Sequence, residues 1–181
     1  MRQFILKFVA FIIFPISVYA QTVRSPYAGQ QQSEIKALSP EEIRMYLEGH
    51  GMDFAKAAEL NHYPGPKHVL ELVKQLNLSA TQSAQTQKAY GRMHAEAVRL
   101  GKLIVAKEQV LDSLYASQKI DATQLRAVVG EIARLQGELR VTHLSAHLEM
   151  KKILSPQQVA KYDELRGYGK GVPPEYPHGK H

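Results

Sequence analysis

His143 and His147 stand four residues apart in the run His143-Leu144-Ser145-Ala146-His147, with Glu149 and Met150 just beyond. On a helix, residues at i and i+4 share a face, so both imidazoles project to one side. Imidazole nitrogens with carboxylate or thioether neighbours, and no thiolate, suit zinc, nickel, cobalt or copper(II). The chain has no cysteine at all. That excludes disulfides, cysteine nucleophiles and thiolate metal sites. The alternative for His143 is a hydrogen-bonded core histidine, because it falls beside an apolar seam. His62 and His68 flank the turn Tyr63-Pro64-Gly65-Pro66 and read as turn-packing or solvated residues, while His178 and His181 lie in a Gly/Pro-rich tail.

Other chemistry finds little support. There is no nucleophile elbow, no phosphate-cradling glycine loop and no His-Glu-x-x-His pair. Carboxylates sit beside opposite charges at helical spacing, as at Glu96/Arg99 and Glu131/Arg134, which is the pattern of solvated helix faces. The sequence therefore points away from an enzyme, and no cofactor is required beyond an optional divalent transition metal. Nucleic-acid binding is disfavoured because acidic residues interleave with the basic ones and no basic cluster alternates with stacking aromatics.

The elements that must position the histidines are legible from their starts. Ser39-Pro40-Glu41-Glu42, Ser79-Ala80-Thr81-Gln82, Asp121-Ala122-Thr123-Gln124 and Ser155-Pro156-Gln157-Gln158 each offer a capping side chain, with Glu or Gln three residues on. The cap oxygen accepts from an orphan backbone N–H while the third residue reaches back. No proline falls between His68 and Ser155. These signals predict helices over 40–49, 53–61, 66–76, 80–116, 122–152 and 156–166, and an all-α fold built on a long antiparallel hairpin with short capped helices flanking it.

Both long helices carry apolar stripes at three-four spacing. One runs through Tyr90, Met93, Ala97, Leu100, Ile104, Leu111 and Leu114; the other through Leu125, Val128, Ile132, Leu135, Leu139, Ala146 and Met150. Pairing them about the 117–121 turn sets positions summing to about 238 opposite each other. This brings His94 near Leu144, so His94, His143, His147 and Met150 form the expected metal set. A helix of the first length spans roughly 55 Å, and Leu103, Val110, Val129, Leu144 and Leu148 remain outside the stripes. A homodimer, intertwined or cradle-like, is the simplest cover. The same faces carry Arg92, Arg99, Arg126, Arg134 and Arg140, which with Leu103 make a mixed apolar and basic surface able to hold unfolded chains.

The 181 residues open on a segment with the pattern of an export signal. Arg2 and Lys7 precede an apolar run of eleven residues, Phe8–Val18, too short to span a bilayer, which takes roughly 20. Cleavage after Ala20 is expected, with residues 21–37 polar and flexible, 38–168 forming the helical domain and 169–181 a disordered tail. The net charge of +6 then falls to +4, since the 23 basic residues lose Arg2 and Lys7 while all 17 acidic ones remain. Four of the five phenylalanines go with the leader, leaving Phe54, and there is no tryptophan. The core must be aliphatic.

Leu78-Ser79-Ala80-Thr81-Gln82 and Leu154-Ser155-Pro156-Gln157-Gln158 resemble the paired LTxxQ boxes of the Spy/CpxP family of periplasmic helical proteins, with Ser replacing Thr as the capping hydroxyl. Leu38-Ser39-Pro40-Glu41-Glu42 is a near match. The stretch from Leu60 through the second box is similar to chains described as periplasmic heavy-metal sensor or resistance proteins, the ZraP and CnrX relatives, which use His, Glu and Met ligands. The resemblance covers about 38–168. It implies a periplasmic envelope-stress protein, an antiparallel dimer that holds unfolded periplasmic proteins without ATP, with Leu78, Ser79, Gln82, Leu154, Ser155 and Gln158 acting structurally. The alternative it implies is a metal-binding sensor or resistance protein. A third is a regulator that docks on the periplasmic domain of a sensor kinase.

Overall fold

The computed structural model of the chain describes residues 24–168. The export signal with its cleavage point, and the tail from 169, lie outside the described residues. Among those described, the fold is all-helical. The elements are α1 (Pro40–Leu47), α2 (Lys56–Glu59), α3 (Pro66–Glu71), α4 (Ala80–Ala116), α5 (Ala122–Ile153) and α6 (Pro156–Leu165).

Every start read from a capping box is one. Ser39, Ser79, Asp121 and Ser155 each accept from the backbone N–H three residues on, and Glu42, Gln82, Gln124 and Gln158 each return the bond. The long helices run within a residue of their expected bounds. The short ones are shorter than expected. The helix expected over 53–61 shrinks to four residues because Met52 and Asp53 adopt positive φ (41° and 59°) and Ala55 has no capping side chain. The one expected over 66–76 stops at Glu71, and the chain continues in turns to Asn77, which sits at φ 49°.

α4 and α5 pair antiparallel. Arg92 grips Glu149 at 2.7 Å, close to the expected register. The seam buries Ala97, Leu100 and Ile104 from α4 against Leu135 and Leu139 from α5, and α1 closes it with Tyr46. α1 comes so close that a Cβ on Gly101 would lie 1.9 Å from the Tyr46 carbonyl oxygen. Only a residue without a side chain permits that approach. A second cluster, Val69, Leu76, Met150, Leu154, Val159 and Tyr162, fills the other end of the hairpin under α3 and α6. Between these two apolar clusters, α5 buries His143 and His147. Toward the 117–121 turn the stripe thins: Leu111, Leu114, Leu125 and Val128 are only half-buried.

The two LSxxQ boxes do more than cap. The Gln82 and Gln158 amides bond each other reciprocally, at 2.8 and 3.1 Å. The Gln82 amide nitrogen also donates to the Ile153 carbonyl (2.9 Å), and that of Gln158 to the Leu76 carbonyl (3.2 Å). Each amide oxygen meanwhile accepts its own cap N–H, from Ser79 and Ser155. Both N–H bonds and both lone pairs of each amide are thus used. The boxes, 76 residues apart, form one joint that locks the start of α4 to the start of α6.

Candidate metal centre

Upward from α5, His147 faces the α2–α3 turn and His143 faces Phe54, ahead of α2. The His147 ring is 7% exposed, and its Nδ1–H donates to the Tyr63 carbonyl at 2.7 Å. A carbonyl can only accept, so Nδ1 carries the hydrogen and the neutral ring presents the Nε2 lone pair. This is the arrangement found around metal-bound imidazoles, where a backbone carbonyl fixes the tautomer and orients the ring. The turn approaches this close because position 65 is glycine: a Cβ there would lie 3.0 Å from His147 Cε1, and 3.3 Å from both His147 Nε2 and Glu59 Oε2. The space above Gly65 is therefore bordered by an imidazole nitrogen and a carboxylate oxygen.

One turn earlier, His143 is 4% exposed and stacks on Phe54, with ring centroids 6.2 Å apart and 26° between planes. Among the described residues, its Nε2 is buried without a hydrogen-bond partner. Burial, reinforced by the positive charge that His147 and His94 would carry, lowers its pKa to about 4. At neutral pH the ring is an uncharged donor, so a cation there displaces no proton from it.

Glu59 was not among the residues singled out from sequence. It ends the four-residue α2, with its side chain 13% exposed. Oε1 accepts from the Tyr162 hydroxyl and, at 3.3 Å, from that of Tyr168, with Arg166 Nε at 3.5 Å. Oε2 faces His147 Nδ1 at 3.7 Å, too far for a hydrogen bond. Burial and the bond to Glu59 both raise the Tyr162 pKa, burial the more, so that hydroxyl remains a donor throughout the physiological range. No local signal in the sequence marks Glu59, because its place is set by how the turn docks on α5 and α6.

His143 and His147 share one face of α5, and His94 lies close enough for its charge to act on His143. His94 is half-buried and gives its Nε2–H to the Glu48 carbonyl at 3.1 Å, beside Tyr90. Met150 is fully buried in the second apolar cluster. Among the described residues, no three His, Asp or Glu side chains converge closely enough to hold a metal as they stand. The donor chemistry at His143, His147 and Glu59 fits a divalent transition metal, and the convergence is incomplete.

The basic surface is partly spoken for. Arg92 pairs with Glu149, Arg99 with Glu96, and Arg134 with both Glu131 and Glu138. Arg126 turns back to the Ala122 carbonyl at 3.4 Å, and Arg140 is exposed. Leu103 is 39% exposed, and Val110, Val129 and Leu148 more so, while Leu144 is half-buried.

Residues 54–161 match the sequence profile of the heavy-metal resistance family. The chain belongs to that family. No curated protein and no solved structure matches it. The family's matched segment opens at Phe54, the ring stacked on His143, and takes in Glu59, the turn, the whole hairpin and both LSxxQ boxes. Among the described residues, no helix of this family member is long and apolar enough to cross a membrane.

Proposed function

We propose that this protein is a periplasmic heavy-metal binding protein of the sensor or resistance type, and that His143, His147 and Glu59 are the nucleus of its site. The observation that carries the reading is the His143 Nε2: a buried, uncharged, unpartnered nitrogen one helical turn from a second imidazole whose tautomer is already set. A buried polar atom without a partner costs about 1–3 kcal/mol, and occupancy by a cation would remove that cost. Zinc, nickel, cobalt and copper(II) suit two imidazoles and a carboxylate, with water or a second copy of the chain completing the shell. The bound cation would supply positive charge in a pocket between the two apolar clusters. The LSxxQ joint supports a finer placement among Spy/CpxP-like proteins.

Family membership favours this reading over the holding of unfolded clients. The exposed Leu103, Val110, Val129, Val141 and Leu148 support client holding as a second reading, tested by suppression of aggregation of a reduced, denatured protein with metal removed. The metal reading is tested by calorimetric titration with zinc, nickel and copper(II). The chain should bind at least one of them, and His143→Ala/His147→Ala should weaken that binding at least about 100-fold, the loss of two ligands at about 10-fold or more each. Glu59→Gln should weaken it less. Unchanged binding in the double variant sinks the proposed nucleus.

A further inference from the structure

The turn above the histidines is held almost entirely by α5 and α6. His62, at φ 65°, directs its Nδ1–H to Asp163 at 2.7 Å. Lys151 donates to the His62 carbonyl at 2.8 Å and lies 5.2 Å from the centre of the Tyr63 ring. His147 holds the Tyr63 carbonyl, and the Gly65 N–H donates to the Tyr162 hydroxyl at 3.3 Å. Along α5, His147 and Lys151 are one turn apart, and along α6, Tyr162 and Asp163 are adjacent. A non-glycine residue at positive φ is uncommon and costs on the order of 1 kcal/mol, so the turn keeps this shape only while both helices grip it.

Glu59 divides its two oxygens between the two sides. Oε1 belongs to α6 and the residues after it, through Tyr162, Arg166 and Tyr168. Oε2 faces His147 across 3.7 Å and is not bonded to it, because the Nδ1–H goes to Tyr63. One oxygen is anchored and the other free. A cation at the imidazoles would engage the free oxygen and immobilise the carboxylate from the side opposite α6.

We propose that Glu59 and Tyr162 form a relay through which occupancy of the imidazole site is read as the docking of α6, and through α6 as the state of the Gln82–Gln158 joint. The relay rests on the metal reading above and adds a direction of output to it. α6 is the responding element: it is ten residues long, and its buried contacts are chiefly Val159 and Tyr162, so its local opening is expected to cost less than that of the hairpin. Engagement of Glu59 Oε2 strengthens the grip on Oε1 by holding the carboxylate in the one orientation that Tyr162 uses. Linkage requires the converse, that loosening α6 weakens the site.

Amide hydrogen exchange of the full chain, with and without saturating zinc, tests the relay. Zinc should slow exchange across Pro156–Leu165 by about tenfold, the middle of the usual range for coupled sites. In Tyr162→Phe, saturating zinc should no longer slow exchange, and zinc should bind up to about tenfold more weakly than in wild type, as reciprocity requires. Tyr168→Phe, a milder change at a half-buried position, should retain part of it. Calorimetry on the same samples separates the two proposals. Absence of zinc binding overturns the metal reading and the relay with it. Zinc bound with unchanged exchange in α6, or slowing undiminished in both variants, overturns the relay alone.

Discussion

Two polar clusters lie along the same hairpin and obey opposite rules. At the box joint, Gln82 and Gln158 use every donor and acceptor they own, on each other, on their own caps and on the carbonyls of Ile153 and Leu76. At the imidazole pair, His147 is oriented by a carbonyl, and among the described residues His143 has a buried nitrogen without a hydrogen-bond partner and Glu59 keeps one oxygen unbonded. His143 and His147 are buried whereas Gln82 and Gln158 are only half-buried, so the cluster more excluded from water is the one left unsatisfied. A network that holds a fold together closes on itself, since each unused polar atom weakens it. A network that receives a ligand must leave a valence open, and the fold bears that cost.

The largest expected effect is at the closed cluster. Gln82→Leu strands the Gln158 amide, the Ile153 carbonyl and the Ser79 cap N–H together, and should lower stability by about 3–5 kcal/mol. Chemical denaturation measures it. A cycle with Gln158→Leu should show coupling of about 1–3 kcal/mol, the double variant being less unstable than the two losses added. Simple additivity would mean that the two boxes cap their own helices and nothing more, and the contrast with the imidazole pair would lose one side.

How much of this contrast is visible in the residues themselves depends on reach. A capping box is a bond between residues three apart, so all four were readable, along with the long helices they open and the hairpin's register. Hydrophobic spacing over-extends α2, whose start follows the positive-φ residues 52 and 53, and α3, which passes into turns at Leu72. The amide pair joins residues 76 apart, and nothing local announces it. The common face of His143 and His147 is legible because they stand one turn apart. Register alone places His94 near them, and in the structure its Nε2–H goes to the Glu48 carbonyl at the end of α1. Met150 lies on the same face of α5 as His143, two turns on, where that face packs into the second core. Glu59 could be recognised only after the Tyr63–Pro66 turn had been laid across His147.

The next effect in size belongs to the open cluster. The folded chain holds the His143 pKa near 4 by burial, while an unfolded chain restores the ordinary value near 6.5. Between those values the unfolded state takes up a proton that the folded state refuses, so stability falls as pH is lowered through that window and is unaffected by this group above it. The loss should reach up to about 3 kcal/mol by pH 4. It is read as the difference between the stability curves of wild type and His143→Leu from pH 7.5 to 4.5, which removes the contribution of the other titrating groups. Parallel curves would mean that His143 protonates equally in both states, and that its site is wetter than the structure has it.

The smallest effect has the opposite sign from the first. At neutral pH, His143→Leu replaces a buried nitrogen that has no partner with an apolar group of similar bulk among Phe54 and the hairpin seam. Removing an unsatisfied polar atom while keeping the volume is neutral or favourable, so the metal-free variant should gain about 1 kcal/mol even as it loses transition-metal binding. The comparable change at Gln82 loses stability and, by loosening α6, should weaken metal binding by no more than about tenfold, since no Gln82 atom contacts the imidazoles or Glu59. Stability and metal affinity would thus move in opposite directions at one cluster and in the same direction at the other. Should His143→Leu instead destabilise the metal-free chain by more than about 1 kcal/mol, the nitrogen is already satisfied, the valence is closed, and His143 is a core residue of the same kind as the glutamines.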